Sequence, residues 1–275
     1  MEYGLLYIQP WISQIENQLR IGVNDINETT KEIKSILKAL TRLTFEKPSI
    51  TWYTHIWPSV GKVTELGRIL LHELCQYAVE FGFGSQQTET VARILLASTT
   101  VDLQGQIVVR LREAIQRIIP KPAKTLVDHP AWKEVAVLIR LCVTLSFNNW
   151  QLAHQYLPDT MYIIAVTAAC GPAMTRSSTH AFLVNTVQSL LSHFPLLPAD
   201  RSKLEVILAD LSTAKYTILF GLNSSTTKSA FSASVNSATD AVDALSINGL
   251  GTIVALLIEI MELATSTGKS SHDSG

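Results

Sequence analysis

The sequence has little charge of either sign, little cysteine, no long apolar run and no alternating strand pattern. Only 16% of its 275 residues are charged, 22 basic against 23 acidic, for a net charge of −1. A binder of nucleic acid or of acidic membranes needs a basic excess, so neither reading is supported. Three cysteines, Cys75, Cys142 and Cys170, lie far apart. They fit neither a disulfide framework nor a zinc pattern and imply a reducing compartment, with each thiol serving as a small core residue. The runs Met161–Cys170 and Leu250–Leu257 fall short of the roughly 20 apolar residues that cross a bilayer, and Glu259 and Glu262 follow the second. No transmembrane segment is expected. Met1 is followed within a few residues by the apolar stretch Tyr3–Ile8, which reads as a chain cut from something longer.

What is present is apolar and helical in period. Hydrophobic residues make up 47% of the chain. Ile33, Ile36, Leu37, Leu40 and Leu43 follow one helix face, with Lys31, Lys34, Lys38 and Arg42 on the remainder; Asn27 or Thr29 could cap this helix. Pro10 opens an earlier helix to about Leu19. A long pattern from Ile50 to Phe81 should kink or break near Pro58 and Gly61, and Gly82 and Gly84 end it. Ser85 starts the next helix, through Val91, Ile94 and Leu95. Ile107, Leu111, Ile115 and Ile118 line a helix from about Leu103 to Ile119. Asp128 and Pro130 begin another, Trp132–Phe147, apolar almost all round and therefore expected to be central. A short helix follows Asn148-Asn149, and a longer one runs from Pro158 to Gly171-Pro172, a strong helix stop. Helices then cover about Thr175–His193, Pro198–Leu211 and Ala214–Phe220.

These elements predict an all-α fold, a HEAT/armadillo-like α-solenoid of antiparallel helix pairs, with an irregular helical bundle as the alternative. Residues 1–221 form the helical-repeat segment and 222–240 a Ser/Thr-rich flexible loop. Residues 241–265 form the final helix of the same array, and 266–275 a disordered tail.

No catalytic constellation emerges. His72-Glu73-Leu74-Cys75-Gln76 begins like a zincin helix but lacks the second histidine that would hold the metal. Gly82-Phe83-Gly84-Ser85 follows a helix rather than a strand and has no Lys-Ser/Thr ending, so it reads as a helix stop followed by a cap. Arg176-Ser177-Ser178-Thr179-His180 joins a basic residue, hydroxyls and a histidine at a helix start; capping and anion binding both remain open, whereas Ser–His catalysis lacks an oriented acidic partner. Trp52, Trp57, Trp132 and Trp150 read as core anchors. The sequons Asn27-Glu28-Thr29 and Asn223-Ser224-Ser225 carry no weight without a secretory signal. Arg110, Arg112, Arg117, Lys121 and Lys124 form a candidate basic face for an acidic partner or a lipid headgroup; the plainer reading is a solvated helix face partly paired with Glu113. No metal or other cofactor is expected.

Several runs, taken in order, resemble one family. They are Ile56-Trp57-Pro58-Ser59-Val60-Gly61-Lys62-Val63-Thr64-Glu65-Leu66, Leu145-Ser146-Phe147-Asn148-Asn149, Gly171-Pro172 with Arg176-Ser177-Ser178-Thr179-His180, Val184-Asn185, Gln188-Ser189-Leu190, Leu219-Phe220-Gly221 and Leu257-Ile258-Glu259-Ile260-Met261-Glu262. From about Leu5 to Leu263 the chain resembles the helical-repeat region on the C-terminal side of neurofibromin and its fungal Ira relatives, which are Ras GTPase-activating proteins. The resemblance implies a non-catalytic scaffold that self-associates and contributes to negative regulation of Ras signalling. A separate domain of the family supplies the arginine finger, and neither its motif nor the Sec14-like module with its PH-like partner occurs here. The implied partners are neighbouring repeats of a parent chain or a second copy, with Ras reached only through the catalytic domain. The implied location is cytoplasmic, with any membrane association made through the parent protein. A free-standing armadillo-like adaptor that holds a partner peptide in a groove is the alternative.

Overall fold

The computed structural model describes residues 10–14, 17, 26–81, 85–120, 129–222 and 247–265. Among them every regular element is helical, and the helices pack as neighbouring pairs, as the all-α reading expects. The chain folds as two compact units, Met1–Gln104 and Gly105–Gly275. Asn27, Thr29, Gly82, Gly84, Asp128, the 223–240 stretch and the 266–275 tail, all assigned roles from sequence, have side chains or positions outside the described residues.

In the first unit α1 (Ile26–Glu46) packs on α3 (Thr64–Phe81), and α2 (Trp57–Gly61) packs on α3 and on α4 (Ser85–Ser98). The buried stripe of α1 is Ile33, Leu37, Leu40, Thr41 and Thr44, whereas Leu43, expected inside, is exposed. The two threonines go inside because each hydroxyl donates to its own helix, Thr41 to the Leu37 carbonyl at 2.8 Å and Thr44 to the Leu40 carbonyl at 2.9 Å, and no polar group is left open. Phe45 of α1 stacks on Tyr77 of α3 with centroids 6.0 Å apart.

The break expected near Pro58 takes a specific form. Residues Trp52–Ile56 make a wide π-helical turn, in which the Trp57 N–H reaches back five residues to the Trp52 carbonyl. Proline has no N–H to offer the carbonyl four residues earlier, and its ring crowds that carbonyl, so the backbone opens ahead of it. The Thr54 hydroxyl donates to the Ile50 carbonyl and the Ser59 hydroxyl to that of His55. The turn drives Trp57 wholly inside, with its indole N–H 3.3 Å from the Thr44 hydroxyl. Trp52 stays half-buried.

The division between the units falls within α5 (Val101–Gln116), whose Ile107, Leu111 and Ile115 are buried as the periodicity requires. The second unit continues with α6 (Ala131–Ser146), α7 (Trp150–Gln155), α8 (Leu157–Cys170), α9 (Ala173–His193), α10 (Pro198–Leu211), α11 (Ala214–Leu219) and α12 (Ile247–Thr265). Helix α6 is the central element expected, burying Trp132, Val135, Val137, Leu138, Ile139, Leu141, Cys142 and Leu145 around its circumference and packing chiefly on α9. Full burial of each such aliphatic side chain is worth about 1.5–3 kcal/mol. Gly105 of α5 lets Tyr156 lie directly on the helix, since a Cβ there would stand 1.9 Å from the Tyr156 ring.

Helix α12 differs from expectation in one respect. Counted as an uninterrupted apolar run it is short, yet its 18-residue window Asn248–Thr265 is long and apolar enough to cross a membrane by length and composition alone. Its Ile253, Leu256, Leu257, Ile260, Leu263 and Ala264 are buried, and it packs on α8, α10 and α11, while Glu259 and Glu262 are exposed. That pattern is the one an amphipathic helix of a protein core shows.

Candidate partner-binding surfaces

The sequence-derived basic face divides over two sides of α5. Arg110 and Arg117, seven residues apart, lie on one side and share a single carboxylate: Arg110 Nε lies 3.2 Å from Glu134 Oε1 and Arg117 Nη2 lies 2.7 Å from Glu134 Oε2. Glu113 and Gln116 complete the shallow depression around them. Arg112 points elsewhere and pairs with Asp159 in the first turn of α8, which raises the Arg112 pKa through the hydrogen bond and the carboxylate charge together. The pairing carboxylates are therefore Glu134 and Asp159, on other helices, rather than Glu113 alone. Lys121 and Lys124 lie outside the described residues.

The His72-Glu73 pair is used differently from a zincin. His72 faces solvent, and Glu73 turns inward to meet Lys34 at 3.0 Å and Lys38 at 3.5 Å. Burial raises the Glu73 pKa, but the hydrogen bonds and charges of the two lysines outweigh it and hold the carboxyl below its ordinary value. Beside this bridge, Leu37, Phe45, Leu70, Leu74 and Tyr77 line a groove of about 390 Å³ between α1 and α3.

The run Leu145–Asn149, noted in the sequence only as part of the resemblance, forms a surface where α6 ends. Phe147 leaves the helix with extended backbone and stands 60% exposed. Asn148 then takes the left-handed conformation (φ 52°), which asparagine tolerates better than most residues. Asn149 caps α7 by accepting from the Leu152 N–H at 3.2 Å. Helix α9 holds this turn from below: Asn185 Nδ2 donates to the Val143 carbonyl at 2.7 Å, and the Ser189 hydroxyl donates to the Ser146 carbonyl at 2.5 Å while accepting from the Asn149 N–H at 3.3 Å. The last carbonyls of α6 are thus satisfied from another helix. Nearby, Phe194 stacks on His154 at 4.3 Å and lies 5.9 Å from Trp150. The Asn148-Asn149 pair was the local signal of the turn; Asn185 and Ser189, about forty residues away, stood out only as members of the runs that carry the family resemblance, with nothing to link them to it.

In the Arg176–His180 run the hydroxyls do not cap the helix, which begins at Ala173 after Pro172, two residues before the expected start. Ser178 returns to the Met174 carbonyl, and Thr179 lies 2.8 Å from the Thr175 carbonyl and 2.9 Å from the Thr167 hydroxyl. His180 Nε2 sits 2.9 Å from the Leu211 carbonyl, with its ring edge-on to Phe220. Arg176 is buried, and burial pushes its pKa down. Of the cysteines, Cys75 and Cys142 are core residues as expected; Cys170 is half-buried, its thiol donates to the Val166 carbonyl at 3.0 Å, and burial pushes its pKa up to about 11.

No family model matches the chain. Two curated proteins of Saccharomyces cerevisiae are similar to it. Inhibitory regulator protein IRA1 is 23% identical over 215 residues, 78% of this chain, and inhibitory regulator protein IRA2 is 23% identical over 222 residues, 80% of this chain. Each alignment occupies 7% of the relative's own length, so the chain spans a small fraction of the curated relatives it matches. Similarity that runs over about four-fifths of the chain supports the resemblance to the Ira and neurofibromin proteins drawn from its motifs.

Proposed function

We propose that this chain is a non-catalytic helical scaffold segment of a neurofibromin-like Ras GTPase-activating protein, contributing to self-association and to negative regulation of Ras signalling. The observation that carries the reading is the similarity to two inhibitory regulator proteins along most of the chain, over helices rather than over an isolated motif. The side chains support a packing role. The Arg110, Arg112 and Arg117 guanidinium groups are each paired with a carboxylate of another helix, and the buried hydroxyls of α9 bond helix to helix. Stacked helix pairs offer extended faces on which further repeats or a second copy can dock. The working location is the cytoplasm.

An immunoblot of the endogenous protein, with an antibody raised to this segment, tests the reading. A band far above 30.3 kDa is expected, together with no acceleration of Ras-bound GTP hydrolysis by the isolated segment. A single band near that mass would remove the scaffold reading. The second reading, a free-standing adaptor, would then lead, because the α1–α3 groove offers an apolar floor and aromatic wall of the kind that holds a peptide. Alanine at Leu37, Phe45 and Tyr77 should then abolish capture of one partner.

A further inference from the structure

One buried charge in the second unit has unmet bonding capacity. Arg176 is only 3% exposed, and its Nε and Nη1 have no hydrogen-bond partner; among the described residues they are the buried side-chain nitrogen and oxygen atoms in that condition. His180, one turn further along the same face of α9, has its ring nitrogen on the Leu211 carbonyl and its ring against Phe220. His180 is therefore engaged while Nε and Nη1 of the guanidinium are not. A charge taken out of water without an acceptor is unfavourable, and native structures normally supply one.

The surroundings are arranged for an anion. Arg176 lies in the first turns of the 21-residue helix α9, where the helix dipole is positive and Pro172 provides no side-chain cap. Beside the guanidinium is Gly221, in the left-handed conformation (φ 62°) just after α11. A Cβ there would stand 2.9 Å from Arg176 Cζ and 3.0 Å from each Nη. Glycine thus serves the backbone conformation and lets the main chain close over the flat face of the guanidinium, leaving its N–H edge, not that face, for an acceptor.

We propose that the corner formed by Arg176, the start of α9 and Gly221 is a binding site for a single oxyanion, a phosphate or a carboxylate, which accepts the free guanidinium hydrogens. This stands apart from the scaffold reading and does not depend on it. Thermal melts of the 275-residue chain, followed by far-UV circular dichroism at pH 7, test it in sodium phosphate, sodium acetate and sodium chloride of equal ionic strength. An occupied site should raise the wild-type midpoint by about 2–4 °C over chloride, and Arg176→Gln should lose that rise. A rise in phosphate alone identifies a tetrahedral anion, and a rise in both salts extends the site to carboxylates. No rise in either salt, or an equal rise in the variant, would overturn the proposal. Should Arg176→Gln fail to fold, phosphorus NMR of inorganic phosphate titrated with the wild-type chain decides: saturable one-to-one broadening reversed by sulfate is expected, and its absence refutes the site.

Discussion

Replacing Gly61 by alanine adds one methyl group where α2 meets the end of α4. That methyl would stand 2.4 Å from the Ser98 carbonyl oxygen, 2.7 Å from its carbon and 2.9 Å from its Cα. All three are backbone atoms, and Ser98 is buried with its hydroxyl bonded to the Ile94 carbonyl at 2.6 Å, so no side chain can swing away. Overpacking costs about 1–3 kcal/mol, and an immobile backbone neighbour places this case near 3. Alanine's helix advantage over glycine returns about 1 kcal/mol at most, leaving a net loss of about 2 kcal/mol. With a urea dependence of about 2 kcal/mol per molar, the unfolding midpoint falls by about 1 M. Gly251 in α12 is the internal control, because a Cβ there meets nothing within 4 Å. Gly251→Ala should gain about 0.5–1 kcal/mol through reduced backbone entropy in the unfolded chain. Far-UV circular dichroism in urea measures both variants. A Gly61→Ala midpoint equal to or above the wild type would refute the close-approach argument, and a fall at Gly251 would refute the entropy argument.

The Glu73 carboxyl, held below its ordinary pKa, contributes stability that is present above the unfolded-state value and lost as pH falls through the folded one. Glu73→Gln should therefore cost about 1 kcal/mol at pH 7, limited by the exposure of Lys34 and Lys38, and progressively less as acid protonates the folded-state carboxyl; a gap in urea midpoint that stays constant as pH is lowered would contradict this. Ser189→Ala removes the hydroxyl that bridges the Ser146 carbonyl and the Asn149 N–H and leaves only their direct 3.3 Å bond, at a cost of about 0.5–1.5 kcal/mol. Faster amide exchange at Asn149 should accompany the loss, and unchanged exchange would show that the α9 clamp does not hold the turn.

The helices were legible because their period and their proline and glycine punctuation are local. Ile107, Leu111, Ile115 and Ile118 of the α5 region are buried where the spacing placed them. What the sequence left unread depends on residues that meet across the fold. Gly61 reads as a helix breaker, but its need for glycine comes from the Ser98 carbonyl, a main-chain group that no side-chain pattern announces. Leu43 looks like core and lies outside, because two threonines that bond their own helix fill the inner face. The basic cluster was visible as charge, yet its division between Glu134 and Asp159 is set by the packing of α5 against other helices. Phe147 belonged to an apolar pattern until the left-handed Asn148 turned it out.

Lys34, Lys38 and Arg42 follow one another at four-residue intervals along α1, and Glu73 engages the first two. Sliding α1 one turn past α3, about 5.4 Å, would bring Lys38 and Arg42 to the same carboxylate. The ion pair thus attracts the two helices without distinguishing one register from the next. That choice falls to the uncharged contacts that do not repeat: Phe45 against Tyr77, and the indole N–H that Trp57 of α2, itself packed on α3, donates to the Thr44 hydroxyl. Charge holds this helix pair together while shape aligns it, so a variant that loses Phe45 could remain folded and still be out of step by a turn.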